Sequence, residues 1–202
     1  MLAELRPAFV ILLLFSLLTG LVYPLAVTGV GQLVLPRQAN GSLIERDGKV
    51  VGSALIGQAF TSDRYFHGRP SATQTQDPDH PDDPSKTIDA PYNAANSTGS
   101  NLGPTSQKLI DRVKKTVQAE TDAGRTTPIP ADAATASASG LDPDISPENA
   151  YWQVASVAKA RGLAEDKVKA LVDAHVQGRV LGFIGEPRVN VLLLNLALDE
   201  LK

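Results

Sequence analysis

The chain has 202 residues, a formal net charge of −3 and no cysteine. This length suits one ordinary domain with an anchor, and charge this close to neutral argues against a nucleic-acid-binding protein, which usually carries a basic patch. The lack of cysteine excludes disulfides, thiolate metal sites and thiol catalysis.

The first predicted element is a membrane anchor. No charged residue lies between Arg6 and Arg37. A bilayer core needs about 20 apolar residues in a helix, and this uncharged run exceeds that length. We therefore predict one transmembrane helix at about 8–34 within an anchor of residues 1–36. A cleaved signal peptide is the alternative, but its apolar region is shorter and ends in a small-residue cleavage site, which is not evident here.

Two residues of the predicted helix suggest contact with another helix. Gly20 is small enough to let a neighbouring helix approach closely. Pro24 would break a soluble helix, but lipid-embedded helices tolerate proline where a neighbouring group satisfies the freed carbonyl. We take both residues as candidate partner contacts. The flanking charges do not decide the orientation, because large domains are translocated largely regardless of them.

The remaining residues, 37–202, are predicted to form an α+β domain. Two apolar segments around Asp47-Gly48 indicate a β-hairpin with a type I′ turn, and residues 53–57 are expected to extend its second strand. Residues 61–105 show little periodicity and are rich in Asp, Pro, Ser and Asn, which predicts a long loop.

The second half of this domain is predicted to be mainly helical. Apolar spacing indicates an amphipathic helix over 106–123. Ser146 followed by Pro147 is a typical helix start, and we expect that helix to end at Gly162. We predict a further helix over 164–176, a strand over 180–184, an extended linker over 128–139 and a last helix capped by Asn190.

The motifs of common enzymes are missing. There is no Gly-x-Ser-x-Gly elbow, no phosphate-binding Gly-Lys-Ser/Thr loop and no P-type ATPase phosphorylation sequence. The acidic stretch 77–83 contains His80 but interrupts its aspartates with prolines, unlike a calcium-binding EF-hand loop. We interpret it as a solvated loop and predict no metal site and no catalytic residue. Trp152 is either a packing residue or an interface anchor.

Six stretches follow the predicted anchor in order: 38–44, 52–58, 65–72, 99–104, 135–142 and 189–199. Each motif alone is a weak signal, but all six in this order behind an anchor of the right length are a strong one. Together they resemble one family, the C subunit of the bacterial Kdp potassium-transporting ATPase, and the likeness covers almost the whole chain.

The resemblance implies a non-catalytic accessory subunit of an ATP-driven potassium uptake complex in the bacterial inner membrane. Its implied partners are a channel-like potassium-binding subunit, a P-type ATPase catalytic subunit, a small single-span subunit and the lipid bilayer, with no nucleic acid. The family's C subunit is described as a catalytic chaperone that raises the ATP affinity of the hydrolysing subunit. The N-terminus is implied to be cytoplasmic and the domain extracytoplasmic.

The resemblance also implies candidate residues. ATP contact is suggested for Ser139, Gly140 and Gln153. The resemblance implies no firmly bound cofactor, and this subunit would meet ATP only through the complex. The candidate partner contacts of the soluble domain are Tyr65, Phe66, His67, Arg69 and Trp152.

Two other classes of protein remain open. A free-standing, membrane-tethered binding protein would have the same anchor but would not copurify with larger membrane subunits. A tethered hydrolase would need a catalytic constellation that the sequence does not offer.

Overall fold

The computed structural model describes residues 2–125 and 127–201. Its internal contacts divide the chain into two compact units, Met1–Ser53 and Ala54–Lys202. The first unit takes in the hairpin as well as the predicted anchor of residues 1–36. The mixture of helix and strand behind one long apolar helix confirms the predicted α+β class.

The first unit begins with a long helix made of α1 (Leu2–Leu17), a π-helical turn (Leu18–Val22) and α2 (Tyr23–Val34). The π turn lies just before Pro24, whose ring has no N–H and would clash with a carbonyl of a regular α-helix. The Tyr23 N–H bonds instead to the Leu18 carbonyl, five residues back. No residue of the stretch Glu4–Val34 is buried, and by length and composition it is apolar enough to span a membrane.

After this helix the chain turns through α3 (Pro36–Ala39) into the predicted hairpin, β1 (Leu43–Arg46) and β2 (Lys49–Ser53). Asp47 and Gly48 have φ angles of 52° and 72°, as a type I′ turn requires, so the predicted hairpin is confirmed. The expected extension over 53–57 is wrong, because a turn follows Ser53.

The second unit contains five helices and five short strands in the described residues. A hairpin of β3 (Gln74–Gln76) and β4 (Thr87–Asp89) stands apart from a three-stranded antiparallel sheet of order β5-β7-β6. The sheet strands are β5 (Asp144–Ile145), β6 (Val176–Gln177) and β7 (Arg188–Asn190). The helices are α4 (Gln107–Asp122), α5 (Ala131–Ala134), α6 (Pro147–Arg161), α7 (Glu165–His175) and α8 (Val191–Glu200).

The predicted helix ends are confirmed. The Ser146 hydroxyl accepts the Asn149 N–H at the start of α6, and Gly162 ends that helix at a φ of 69°. The Asn190 side-chain oxygen accepts the Leu193 N–H at the start of α8. Side chains that bond the first free N–H groups of a helix fix where it begins, so these caps set the register of the helices that form the core.

The core lies where α6, α7 and α8 meet the three-stranded sheet. Its largest fully buried apolar side chain is Phe66, which comes from the irregular segment before β3. The other buried members come from the helices and sheet: Ile145, Ala150, Val154, Val157, Ala158, Val168, Val172, Val189, Val191, Leu194 and Leu198.

Three further predictions need correction. The strand predicted over 180–184 is a turn with a single bridge between Val180 and Ile184. The loop predicted over 61–105 contains the β3–β4 hairpin, and the linker predicted over 128–139 contains the short helix α5. Each of these elements has too few residues for its periodicity to be distinguished from that of a loop.

Candidate functional site

Two buried carboxamides hold the backbone of the predicted Tyr65–Arg69 contact region. The Asn195 side chain accepts the Phe66 N–H at 2.8 Å and donates to the Phe66 carbonyl at 2.9 Å. The Gln153 side chain does the same for His67, at 2.7 and 3.1 Å. We call these four bonds the amide clamp. It gives an irregular segment the hydrogen bonds that a neighbouring strand would otherwise supply.

Gln153 has no amide hydrogen left for a ligand. One hydrogen bonds the His67 carbonyl, and the other bonds the Asn149 side-chain oxygen at 2.9 Å. Asn149 in turn donates to Asp132, which also accepts the backbone N–H and the hydroxyl of Ser146. The predicted ATP-contact residue Gln153 is therefore part of a continuous structural network at the start of α6.

The ring of Tyr65, the residue before the clamped Phe66, stacks against the Arg161 guanidinium. The Arg161 guanidinium lies 4.8 Å from the Tyr65 ring centre and forms an ion pair of 2.7 Å with Asp199. Its Nε also donates to the Arg64 carbonyl at 2.6 Å. Stacking and ion pairing together keep the Arg161 side chain almost fully buried.

Arg69 is also tied into the body of the domain. Its guanidinium pairs with Asp142 at 3.2 Å, and its carbonyl accepts the Tyr92 hydroxyl at 2.7 Å. Burial, followed by the nearby Asp142 charge, raises the pKa of Tyr92 to about 12. The Tyr92 hydroxyl therefore stays protonated at neutral pH and continues to donate to the Arg69 carbonyl.

Ser139 and Gly140 take part in a second hydrogen-bond cluster, separate from Gln153. The Ser71 hydroxyl donates to the Gly140 carbonyl at 2.8 Å and accepts the Tyr92 N–H at 3.0 Å. The Ser139 hydroxyl accepts the Leu141 N–H. Gly140 has a φ of +67°, and a Cβ there would lie 2.7 Å from the Thr98 carbonyl oxygen. Because the Ser97 hydroxyl donates to the Ser139 carbonyl at 3.0 Å, both of these candidate ATP contacts hold the 71–99 segment in place.

Trp152 lines a small cavity between α4 and α6. The Arg125 guanidinium lies 4.0 Å from its ring centre and pairs with Glu120 at 3.1 Å. The Trp152 indole N–H is buried without a hydrogen-bond partner among the described residues. The cavity, of about 240 Å³, also contacts His67 and Gln153, so the structure brings these three candidates together.

The acidic stretch folds back on itself at the turn between β3 and β4. His80 Nδ1 lies 2.9 Å from an Asp77 carboxylate oxygen, and Asp83 accepts the backbone N–H and hydroxyl of Ser85. These Ser85 hydrogen bonds lower the pKa of Asp83. Within residues 2–125 and 127–201, no group of three His, Asp or Glu side chains is arranged to hold a metal ion.

The residues that sequence reasoning missed are chiefly Asn195, Asn149, Ser71 and Tyr92. Asn195 carried a usable signal, because it is one polar residue in the leucine-rich stretch 191–198. A buried amide on an otherwise apolar face needs hydrogen-bond partners, which predicts a polar contact there. Its partner is a backbone segment about 130 residues away, which the sequence alone does not identify.

We predict that Gln153→Leu lowers the free energy of unfolding by about 2–4 kcal/mol, because the His67 N–H and carbonyl lose their partners. The measurement is chemical denaturation of the full chain in detergent, followed by the fluorescence of Trp152, the only tryptophan. Gln118→Leu is the matched control, since Gln118 is exposed on α4 and bonds only Asp122 in the described residues. Equal free energies of unfolding for the two variants would contradict a stabilising role of the amide clamp.

We also predict that Gly140→Ala destabilises the domain by about 2–4 kcal/mol, since alanine at a positive φ is strained and its Cβ meets the Thr98 carbonyl and the Thr73 methyl. Gly103→Ala is the control, because the described residues leave open space around a Cβ there. The same denaturation experiment measures both. A Gly140→Ala chain as stable as the Gly103→Ala chain would show that this segment is not tightly packed.

Comparison with known proteins finds relatives along almost the whole chain. The family model described as "K+-transporting ATPase, c chain" matches residues 5–200. The Potassium-transporting ATPase KdpC subunit of Rhodopseudomonas palustris strain BisB18 is 61% identical over 100% of both chains. That of Bradyrhizobium diazoefficiens is 61% identical over 99% of this chain and 98% of the relative. That of Methylobacterium nodulans is 62% identical over 100% of this chain and 98% of the relative. The chain therefore belongs to the KdpC family of potassium-transporting ATPase subunits.

Proposed function

We propose that this protein is a non-catalytic accessory subunit that assembles and stabilises an ATP-driven potassium uptake complex. The observation that carries the proposal is the family match over residues 5–200, which includes both the long apolar helix and the clamped domain. The proposed partners are a channel-like potassium-binding subunit, a P-type ATPase catalytic subunit and a small single-span subunit.

The protein acts from the bacterial inner membrane, with its N-terminus in the cytoplasm and its domain on the outer side. Support for the membrane location comes from the helix Glu4–Val34, which is apolar and exposed on all faces. Apolar side chains exposed along a helix of 31 residues would be costly in water and are stabilised in a bilayer. The orientation is part of the proposal and rests on the family resemblance.

The π turn is proposed to be where the anchor meets a neighbouring transmembrane helix. A Cβ added at Gly20 would meet nothing within 4 Å in the described chain, so the groove at this position is open. The Thr19 hydroxyl in the same turn donates to the Phe15 carbonyl at 2.6 Å, so it adds no polar group on this face. A small residue beside a distorted turn suits close helix packing.

The subunit is further proposed to act as a catalytic chaperone that raises the ATP affinity of the catalytic subunit. A domain outside the membrane does not meet cytoplasmic ATP, so the effect is a coupling between distant sites. Long-range coupling is supported by the hydrogen bonds of Gln153 and Gly140, because these residues bond other residues of the same domain. Direct ATP contact through Ser139, Gly140 and Gln153 is the competing mechanism.

Steady-state ATP hydrolysis by the purified complex tests the chaperone role. We expect removal of this subunit to raise the KM for ATP several-fold, and Ser139→Ala to leave the KM at its wild-type value. Ser139 is exposed, so this change is compatible with folding. A raised KM in the Ser139→Ala complex would favour direct contact, and an unchanged KM without the subunit would refute the chaperone role.

The proposed helix contact predicts that Gly20→Leu weakens assembly. Leucine fits the chain itself, so the variant should insert and accumulate normally, but its side chain would keep a neighbouring helix away. The measurement is the amount of subunit that copurifies with the tagged catalytic subunit in mild detergent. Val10→Leu is the control, because it also places a leucine in the anchor helix but replaces a residue that is already large and apolar. Equal recovery of both variants would exclude Gly20 from the contact, and a wild-type chain that never copurifies would favour a free-standing binding protein.

A further inference from the structure

Helix α4 carries a partly buried arginine, Arg112, that has no carboxylate partner among the described residues. Its guanidinium donates to the Ser100 hydroxyl at 3.4 Å, and its Nε is buried without a hydrogen-bond partner in the same part of the chain. The other partly buried arginines of the described chain each pair with a carboxylate: Arg69, Arg125 and Arg161. A guanidinium stays charged at any physiological pH, so an anion that reaches Arg112 gains a strong partner.

Arg112 lines a polar cavity between α4, the β3–β4 hairpin and the segment that follows β4. The volume of about 390 Å³ lies near the lower end of the roughly 300–1,000 Å³ of known ligand pockets, so the cavity suits a small molecule. Polar side chains of the wall are Gln74, Asp89, Thr98 and Ser100. Ser100 belongs to the stretch 99–104, which carries part of the family resemblance and lies outside the core cluster.

A carboxylate stands in the same cavity as this arginine. Asp89 is exposed at the end of β4, where it accepts a long hydrogen bond of 3.5 Å from the Gln74 amide. Asp89 and Arg112 form no ion pair with each other among the described residues. The cavity therefore offers a ligand one positive and one negative group. A dianion such as phosphate would be repelled by Asp89, whereas a molecule with one charge of each sign is attracted by both side chains.

The neighbouring polar groups can complete the hydrogen bonds of a bound carboxylate. Ser100 accepts from Arg112, so the hydrogen of its own hydroxyl can be donated to a ligand. The Gln74 amide uses one hydrogen for Asp89, and its oxygen accepts the Thr87 hydroxyl at 2.8 Å, which leaves the second amide hydrogen available. An ionised carboxylate only accepts hydrogen bonds, and its bonds to a guanidinium are among the strongest in proteins.

We propose that this cavity binds a small zwitterionic amino acid. The Arg112 guanidinium and the Ser100 hydroxyl bind the carboxylate of the ligand, and the Asp89 carboxylate accepts its ammonium group. The ligand thereby connects α4, none of whose residues is fully buried, to the β3–β4 hairpin. This binding site goes beyond the proposed function, because the assembly of the transport complex does not depend on the cavity.

An NMR titration of the isotopically labelled full chain in detergent tests the site. The backbone amide signals of Gly99 and Ser100 report on the cavity, and the probes are glycine and L-alanine. We expect saturable shifts of both signals with a dissociation constant on the order of 1 mM. Acetate and methylamine each carry only one of the two charges, so we expect each to bind at least tenfold more weakly. Sodium chloride at equal ionic strength is the control for a general salt effect.

Two substitutions separate binding from folding. Asp89→Asn keeps the oxygen that accepts from Gln74 but removes the charge, and we expect it to weaken glycine binding at least tenfold. Arg112→Gln is expected to abolish binding. Lys115→Gln is the matched control, since it removes the same charge from an exposed position of α4 and should leave glycine binding unchanged. Equal denaturation midpoints without ligand show that a variant folds like the wild-type chain.

Three results would overturn the inference. The first is no saturable shift with either amino acid up to about 100 mM, far above the expected dissociation constant. The second is acetate binding as tight as that of glycine, which would mean that the site recognises an anion alone. The third is wild-type glycine binding by a folded Asp89→Asn or Arg112→Gln chain. None of these results affects the proposed assembly role, which copurification tests separately.

Discussion

The side-chain amides of Gln153 and Asn195 fix the irregular segment at Phe66 and His67 to the helices of the domain. Each amide both accepts from and donates to one residue of the segment at Phe66 and His67. The segment is thereby fixed to α6 and α8, and Phe66 is seated in the core with no exposed surface. Leaving such backbone groups buried and unpaired would cost about 1–3 kcal/mol each, so the fold depends on both amides.

This constraint explains why polar residues that look available for chemistry are engaged in structure. The Ser71 hydroxyl joins the 69–99 segment to the Gly140 carbonyl, while the Tyr92 hydroxyl and N–H bond Arg69 and Ser71 within that segment. Among the described residues, large apolar side chains are exposed along the anchor helix and at 180–184. Exposed apolar surface of this kind agrees with the proposed role in assembly.

Features fixed by local chemistry could be predicted from the sequence. The turn at Asp47-Gly48 and the helix starts at Ser146 and Asn190 depend on residues within a few positions, and the structure confirms them. The three-stranded sheet was not predicted, since its strands have only two or three residues and their pairing joins distant parts of the chain. The apolar run 180–184 predicts a strand because apolar residues usually indicate burial, whereas in the structure these residues lie exposed in a turn.

The side of the membrane on which the domain lies decides between long-range coupling and direct ATP contact. Since the chain has no cysteine, a cysteine placed at Thr105, which is exposed, is the chain's only thiol for a membrane-impermeant maleimide in intact cells. A cysteine at Glu4 reports on the opposite side. We predict that position 105 is labelled in intact cells and position 4 only after the cells are opened. Labelling of position 4 in intact cells, with position 105 protected until they are opened, would contradict it.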